Sequence, residues 1–557
     1  MSKAQRLKAE RREHREMAPG PIAAVESPSV LSRAASWFGY PSMYLLLAIA
    51  VVDAFTFADS DLWGHIRFGQ AMLKAGHMIE YDPYSYSAPG HLWRNHEWLS
   101  EVVFAIAYNA GRVFGLELVK FCFSAMMVLF LALALAETQV IAPIQAAVIM
   151  LTAPAMASQM MLRPQLFSFT LMAALMWLLA RDSYRRAGPL WLVIPMMALW
   201  ANFHGAYIAG LGAIGIYAAV GSSQAVIESR DWRRAAYLIA IVIASLLATL
   251  VNPYGIGAWY AVLHALTNPL THKVINDWKP LTSTVAEVWK IAVPAALLFV
   301  EAVGFLLALV IAVALAPRGK DLPLVAIAIV FSIAALTAMR NLPLAVIATT
   351  IPLARHVGLA WQQRSARASS RPARRATARE GLAAGATGEP EHSSREYLGQ
   401  LFAAVAAVLL IYNALFSPVL EPMVPSPVGA VDFMKEHHLH GNVLSIYNWG
   451  EYLIWHLSPD SKVFIDGRYD TVYPDQVIND YFVFESSEGD PEHMLKAYKH
   501  DYAIVDTLSN RWILLNMDPD WKLIYGDRIA GLFAHKDFSI KGLKFPVVGT
   551  EPEDYFP

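Results

Sequence analysis

Hydrophobic positions in this chain come in long blocks rather than in the short alternations of a soluble core. Apolar runs recur at about 41–58, 116–136, 140–157, 166–180, 190–203, 206–221, 235–252, 288–314, 322–339, 342–360 and 398–416. Most approach the roughly 20 residues that cross a bilayer core, so the pattern predicts a polytopic α-helical membrane protein of about eleven transmembrane helices. A twelfth stretch, 97–113, is apolar enough to compete. Counting it as a span would move the basic loop Arg181, Arg185 and Arg186 to the wrong side. It is therefore read as an amphipathic, aromatic-rich helix lying in the interface.

Basic residues set the sides. Residues 1–40 carry Lys3, Arg6, Lys8, Arg11, Arg12 and Arg15, which makes this segment cytoplasmic by the positive-inside rule. The same count puts Arg230, Arg233 and Arg234, and then Arg318 and Lys320, on the cytoplasmic side. Residues 41–362 form the membrane module, with a first outer loop at 59–115. Residues 363–397, rich in Arg, Ala, Ser and Gly, read as a disordered cytoplasmic linker, followed by a last span at 398–416. From 417 to 557 the pattern changes: β-like runs at Val443–Tyr447, Val463–Asp466, Tyr502–Val505 and Lys522–Tyr525 mix with helical stretches at Val428–Glu436 and Pro491–Tyr498. This predicts a C-terminal extracytoplasmic α/β domain.

Composition sharpens the class. The 557 residues are 56% hydrophobic and 16% charged, against about 25% charged in soluble proteins. A net charge of −2 gives no basic footprint for nucleic acid. The lone cysteine, Cys122, lies in an apolar run and excludes an intrachain disulfide. The expected location is a bacterial-type cytoplasmic (inner) membrane.

Candidate chemistry gathers at the outer ends of spans. Asp59 and Asp61 stand where the first span leaves the bilayer, and charges at a membrane boundary are costly to place. Such a pair can supply a general base or share a divalent cation such as Mg or Mn; the plainer reading is a solvated helix end. The following loop adds Trp63, His65, Arg67, Asp82, Trp93, His96, Glu97 and Trp98. Arg67 can hold a phosphate, whereas Trp and Tyr favour interfaces regardless of function. Arg163, His204 and Arg340 end later spans on the same face as phosphate or proton contacts, or as snorkelling and packing residues. The loop 253–287, with His264, His272, Lys273, Asp277 and Trp278, suits a lid over substrate. In the terminal domain, Trp449, Glu451, Asp466 and Arg468 follow predicted strands, where loops carry function or simply turn.

The arrangement resembles the GT-C superfamily of integral-membrane glycosyltransferases. Asp61-Leu62-Trp63-Gly64-His65-Ile66-Arg67 is similar to an Asp-Pro-Trp-Phe-Asn-Tyr-Arg run of the oligosaccharyltransferase catalytic subunit, and Asn448-Trp449-Gly450-Glu451-Tyr452 to its Trp-Trp-Asp-Tyr-Gly motif. The second motif is not intact, and residues 158–165 lack that family's second acidic motif. The resemblance implies a polyprenyl-(di)phosphate-linked sugar donor and a glycan, lipid or protein acceptor. It implies Asp61 as catalytic carboxylate with Asp59 in support, phosphate or substrate contacts at Arg67, Asp82, His96, Glu97, Arg163, His204 and Arg340, and acceptor contacts at Trp449, Glu451, Asp466 and Arg468. A flippase for lipid-linked saccharides, with polar groups near the bilayer midplane such as Asp53 and Glu301, and a non-catalytic polysaccharide assembly protein are the competing readings.

Overall fold

A computed structural model of the chain describes residues 40–53, 58–157, 159–186, 188–281, 293–317, 320–369, 408, 411–412, 424–486, 489–536, 544–550 and 556. The basic N-terminus, the expected linker beyond Ser369, nearly all of the last expected span and the end of the 253–287 loop lie outside the described residues.

The membrane part is a multi-pass helical bundle: α1 Tyr40–Asp53, α2 Leu62–Ala75, α3 Trp98–Glu137, α4 Ala142–Ala157, α5 Gln165–Arg185, α6 Val193–Phe203, α7 Tyr207–Ser229, α8 Trp232–Ala248, α9 Ile256–Thr267, α10 Pro269–Val274, α11 Val293–Leu315, α12 Leu322–Thr337 and α13 Leu342–Ser369. Among the described residues, four helices are long and apolar enough to cross a membrane: Trp98–Glu137, Gln165–Arg185, Tyr207–Ser229 and Met339–Arg367. Shorter apolar helices accompany them, including Ala142–Met156 and Leu322–Thr337. The α13 helix continues to Ser369, into the stretch read as linker.

The α3 helix breaks where the interfacial reading separates from the span. Arg112 takes φ 53° and ψ −135°, and Gly115 packs so closely on the Ala107 carbonyl that a Cβ would collide with it. The first half of α3 lies along α2, with the backbone of Glu101 against Gly69. The second half enters the bundle core with Met127, Leu131 and Leu135. Within that bundle Asp53, Glu117 and Lys120 are buried together, with Lys120 Nζ 3.7 Å from Asp53 Oδ1. Intramembrane charge is therefore more clustered than Asp53 and Glu301 suggested. At the opposite end from the acidic pair, Glu137 takes Arg181 and Arg185, and Asp182 takes Arg234.

The C-terminal part is an α/β layer: α14 Val428–Glu436, β1 Asn442–Ser445, α15 Gly450–Leu457, β2 Lys462–Val463, α16 Asp475–Ser486, α17 Glu492–Ala497, β3 Tyr502–Asp506, α18 Asn510–Met517, β4 Trp521–Gly526, β5 Ala530–His535 and β6 Val547–Val548. Strand order is β2-β1-β3-β5-β4-β6. The β1 strand is parallel to β2 and β3, and β5 is antiparallel to β3 and β4. Two expected strands are shorter than predicted. The first ends at Ser445 because Tyr447–Trp449 winds into a 3-10 turn leading to α15. The second ends at Val463 because Asp466 turns its carboxylate onto its own Arg468.

The loop after α2 is built into this domain. Tyr86 N–H donates to the Val463 carbonyl and Val463 N–H to the Tyr84 carbonyl, both at 3.1 Å, which extends the sheet beyond β2. Phe68, Tyr84 and Trp93 share one core with Trp449, Val463 and Ile465. In that core Arg468 donates to Asp82 Oδ1 at 2.6 Å and to both oxygens of Asp466 at 2.8 and 2.7 Å. Its guanidinium lies over the rings of Trp93, Phe68 and Tyr84 at 4.9, 5.1 and 5.2 Å.

Candidate active site

Between α1 and α2 the chain bends so that Asp59 Oδ1 accepts the Asp61 N–H at 2.9 Å. That bond fixes the two side chains relative to one another. Asp59 is 3% exposed, and Asp61, at the start of α2, makes no capping hydrogen bond with its side chain. Both carboxylates turn towards Arg163, in the short connection between α4 and α5. Arg163 Nε is 2.7 Å from Asp59 Oδ2, one terminal nitrogen is 3.9 Å from Asp61 Oδ2, and the other is 3.5 Å from Asp277 Oδ2. Burial opposes the guanidinium charge, but the three carboxylates outweigh it and hold Arg163 ionised.

Asp61 is 27% exposed on its side chain. Burial first, and then the charge on Asp59, push its carboxyl up to about 6, with Arg163 pulling the other way. A carboxylate poised near neutrality is suited to proton transfer. Beside it stands Glu451, at the start of α15 and 2% exposed. A Cβ on Gly467 would sit 2.5 Å from Asp61 Oδ1 and 2.7 Å from Glu451 Oε1. Only glycine leaves room there for two carboxyl groups.

A second polar line runs beneath this pair. His204 Nδ1 accepts the Ala206 N–H at 3.2 Å and meets Ser168 Oγ at 2.9 Å, while Trp200 Nε1 donates to that Ser168 hydroxyl at 2.8 Å. With Nδ1 accepting, Nε2 carries the proton and faces Glu97 Oε1 at 3.4 Å. Burial pushes His204 down to about 3, so it is neutral there. His96 Nε2 is 3.8 Å from the same Glu97 oxygen. Arg340 stacks over Trp278 at 4.2 Å, and its charge is felt at Glu97.

Of the residues singled out from sequence, Asp59, Asp61, His96, Glu97, Arg163, His204, Arg340 and Glu451 thus gather on the face that carries the C-terminal domain. The others lie elsewhere. Arg67 donates to the Ser458 carbonyl at 3.3 Å and ties α2 to the end of α15. Trp449 is buried, its Nε1 donating to the Pro425 carbonyl at 2.8 Å. Asp82, Asp466 and Arg468 are buried and bonded to one another. Asp277 was not among the singled-out site residues; its only sequence signal is its place in the polar 253–287 loop. That loop also sets His264 Nδ1 3.6 Å from Asp470 Oδ2, and Asn268 donates to Asp475 at 3.1 Å, so it joins the bundle to the C-terminal domain.

A divalent cation between Asp59 and Asp61 would meet a guanidinium there. The oxygens that would ligate it face Arg163, and among the described residues no three His, Cys, Asp or Glu side chains are arranged to hold a metal. The residues do not fit the expected Mg or Mn site unless Arg163 moves.

No protein-family model and no curated protein matches the chain. Solved structures do. The chain is similar to the apo oligosaccharyltransferase of Archaeoglobus fulgidus at 13% identity and TM-score 0.48, over 85% of this chain and 70% of that one. It is similar to oligosaccharyltransferase AglB of the same organism, in complex with an inhibitory peptide and a dolichol-phosphate, at 12% identity and TM-score 0.48, over 84% and 70%. It is similar to ArnT from Cupriavidus metallidurans bound to undecaprenyl phosphate, at 12% identity and TM-score 0.45, over 91% and 98%.

Proposed function

We propose that the chain is a membrane glycosyltransferase that moves a sugar from a polyprenyl-(di)phosphate-linked donor to an acceptor. The reaction takes place at the face carrying the C-terminal domain, which the basic-loop count makes the extracytoplasmic face of a bacterial-type inner membrane. The observation that carries this reading is geometric: Asp61, held by Asp59, stands beside the guanidinium of Arg163.

The chemistry follows from those neighbours. Arg163 grips Asp59 tightly through Nε at 2.7 Å, but its two terminal nitrogens contact carboxylates only at 3.9 and 3.5 Å. The outer edge of the fork is thus available to a donor phosphate, which it suits bidentately. Asp61 takes the proton from the acceptor nucleophile as the nucleophile attacks the anomeric carbon. The bond from that carbon to the phosphate oxygen breaks with inversion, and the electron pair leaves on the phosphate. Arg163, with Arg340 nearby, stabilises that growing charge, typically a large part of such a rate enhancement. Asp59 holds Arg163 and Asp61 in register, and no step needs a divalent cation.

The test is a transfer assay with purified protein and a panel of polyprenyl-phosphate and polyprenyl-diphosphate sugars, comparing wild type with Asp61→Ala and Asp59→Ala. Transfer by the wild type with loss in both variants supports the reading. Full turnover in both variants on a substrate that the wild type accepts overturns it.

A flippase for lipid-linked saccharides is the second reading, favoured by the buried Asp53, Glu117 and Lys120 of α1 and α3. It expects Lys120→Met to stop movement of lipid-linked saccharide across vesicles while Asp61→Asn leaves it intact.

A further inference from the structure

The carboxyl group of Glu451 has no role in the steps above, yet it stands beside the base across Gly467. It comes from the C-terminal domain and is 2% exposed. Among the described residues no cation lies within ion-pair distance of it, and its Oε2 is buried without a hydrogen-bond partner. That oxygen points at Gly64 of α2, where any side chain would collide with it. Its Oε1 shares with Asp61 Oδ1 the space left open by Gly467, so the two oxygens are no further apart than the 2.5 and 2.7 Å legs of that triangle allow. Two carboxyl groups so close, one of them buried with no cation on it, do not both ionise near neutral pH.

The surroundings assign the charge. Asp61 faces Asp59, Arg163, His65 and Glu97. Glu451 faces Asp61, Asp466, Arg468 and Glu101, with Tyr447 alongside. Arg163 sits on the Asp61 side. Arg468, the cation nearest Glu451 in charge terms, is bonded to Asp466 and Asp82. Burial first, and then the Asp61 charge, hold the Glu451 carboxyl well above the usual carboxylate range.

We propose that Glu451 is a positioning residue for transfer: a neutral carboxylic acid that the C-terminal domain sets against Asp61 across Gly467, leaving the charge of the pair on the base. This rests on the transferase reading for its kinetic part. It makes the site composite, with the base on the membrane module and its neutral partner on the C-terminal domain. Loss of the Glu451 proton sets a second negative charge against the incoming donor phosphate, so kcat/KM falls by about tenfold per pH unit above that ionisation.

Two measurements test it. The first is independent of activity: infrared difference spectra of purified wild-type protein minus Glu451→Gln at pH 7. A protonated-carboxyl C=O band present only in the wild type supports the proposal, and a carboxylate difference signal with no such band overturns it. The second is the pH profile of kcat/KM. The Glu451→Gln profile keeps its acid limb and loses its alkaline limb, whatever its absolute rate, and Glu451→Ala, which opens space beside Asp61, lowers kcat at every pH. An alkaline limb unchanged in Glu451→Gln overturns the kinetic role. If the wild type transfers no sugar from any donor, the transferase reading fails while the infrared result still decides the protonation state.

Discussion

Arg163 Nε lies 2.7 Å from Asp59 Oδ2, and this contact joins the connection between α4 and α5 to the turn that leads into α2. Asp59 is buried, and Arg163 is its ion-pair partner. Arg163→Lys keeps a positive charge but loses the planar fork that reaches Asp59, Asp61 and Asp277 together. Turnover is expected to fall about 10²–10³-fold, the usual loss on removing one charge-stabilising donor. Thermal unfolding should change far less than in Asp59→Ala, which leaves Arg163 without its closest anion. A steady-state transfer assay run beside a melting curve of the same detergent-purified samples separates the two effects.

The acid side of the pH profile follows from Asp61. Its carboxyl is raised to about 6 and must be ionised to accept a proton. The rate is therefore expected to be full well above pH 6 and to drop about tenfold per unit below it. For stability the sign is opposite. A folded carboxyl that titrates above its unfolded value of 3.8 favours folding while protonated, and that contribution is lost as pH rises from about 4 to about 6. Replacing Asp61 with Asn removes both dependences. An acid limb that persists unchanged in a residually active Asp61→Asn protein would assign it to another group.

Gly467→Ala probes the narrowest point of the site. The added methyl carbon would fall 2.5 Å from Asp61 Oδ1 and 2.7 Å from Glu451 Oε1, so at least one carboxyl must move. A shift of about 1 Å in a reacting group costs about 10²-fold in rate. The fold should tolerate the change, because Gly467 does not need the left-handed backbone conformation. Activity near wild type in this variant would show that Asp61 is not held where it works.

Much of this site was legible in the chain because charge at the end of an apolar run is conspicuous. Counting basic loops was enough to bring Asp59, Asp61, Arg163, His204 and Arg340 to one face. The seam near residue 113 was legible too, and it appears as the break at Arg112. Contacts between remote segments were not. Arg468 looks like an acceptor contact in its turn, yet its strongest partner outside that turn is Asp82, 386 residues away. The adjacency of Glu451 and Asp61 depends on Gly64, inside α2, and on Gly467, whose Asp-Gly context marks only a turn. The β5 strand, Ala-Gly-Leu-Phe-Ala-His, escaped notice because its small residues carry little β-propensity.

Arg468 therefore predicts stability more than rate. It is buried with Asp82 and Asp466 and boxed by Trp93, Phe68 and Tyr84. Arg468→Met keeps most of the volume but leaves two buried carboxylates without a cation. Removing one partner from such a cluster costs about 3–5 kcal/mol, and the cost should appear as early melting and proteolysis of the C-terminal domain with the bundle still helical. Circular dichroism with limited proteolysis reads both. A stable, protease-resistant Arg468→Met protein would mean that the aromatic box, not the ion pairs, ties the first loop to the sheet.

Arg163 stands where a cation shared by Asp59 and Asp61 would have to sit, with its Nε already on Asp59 Oδ2. Transfer is expected to be unchanged after EDTA treatment and not to rise on adding Mg or Mn. Arg163→Ala is the informative background. With the guanidinium gone, two carboxylates held in register by the Asp61 N–H to Asp59 bond become a plausible pair of oxygen ligands. Partial rescue of that variant by millimolar divalent cation, with none in the wild type, would show that the arginine does the electrostatic work of an ion. Chelator-sensitive turnover in the wild type would mean that Arg163 swings away when donor binds, and the assignment of the phosphate contact would then pass to Arg340.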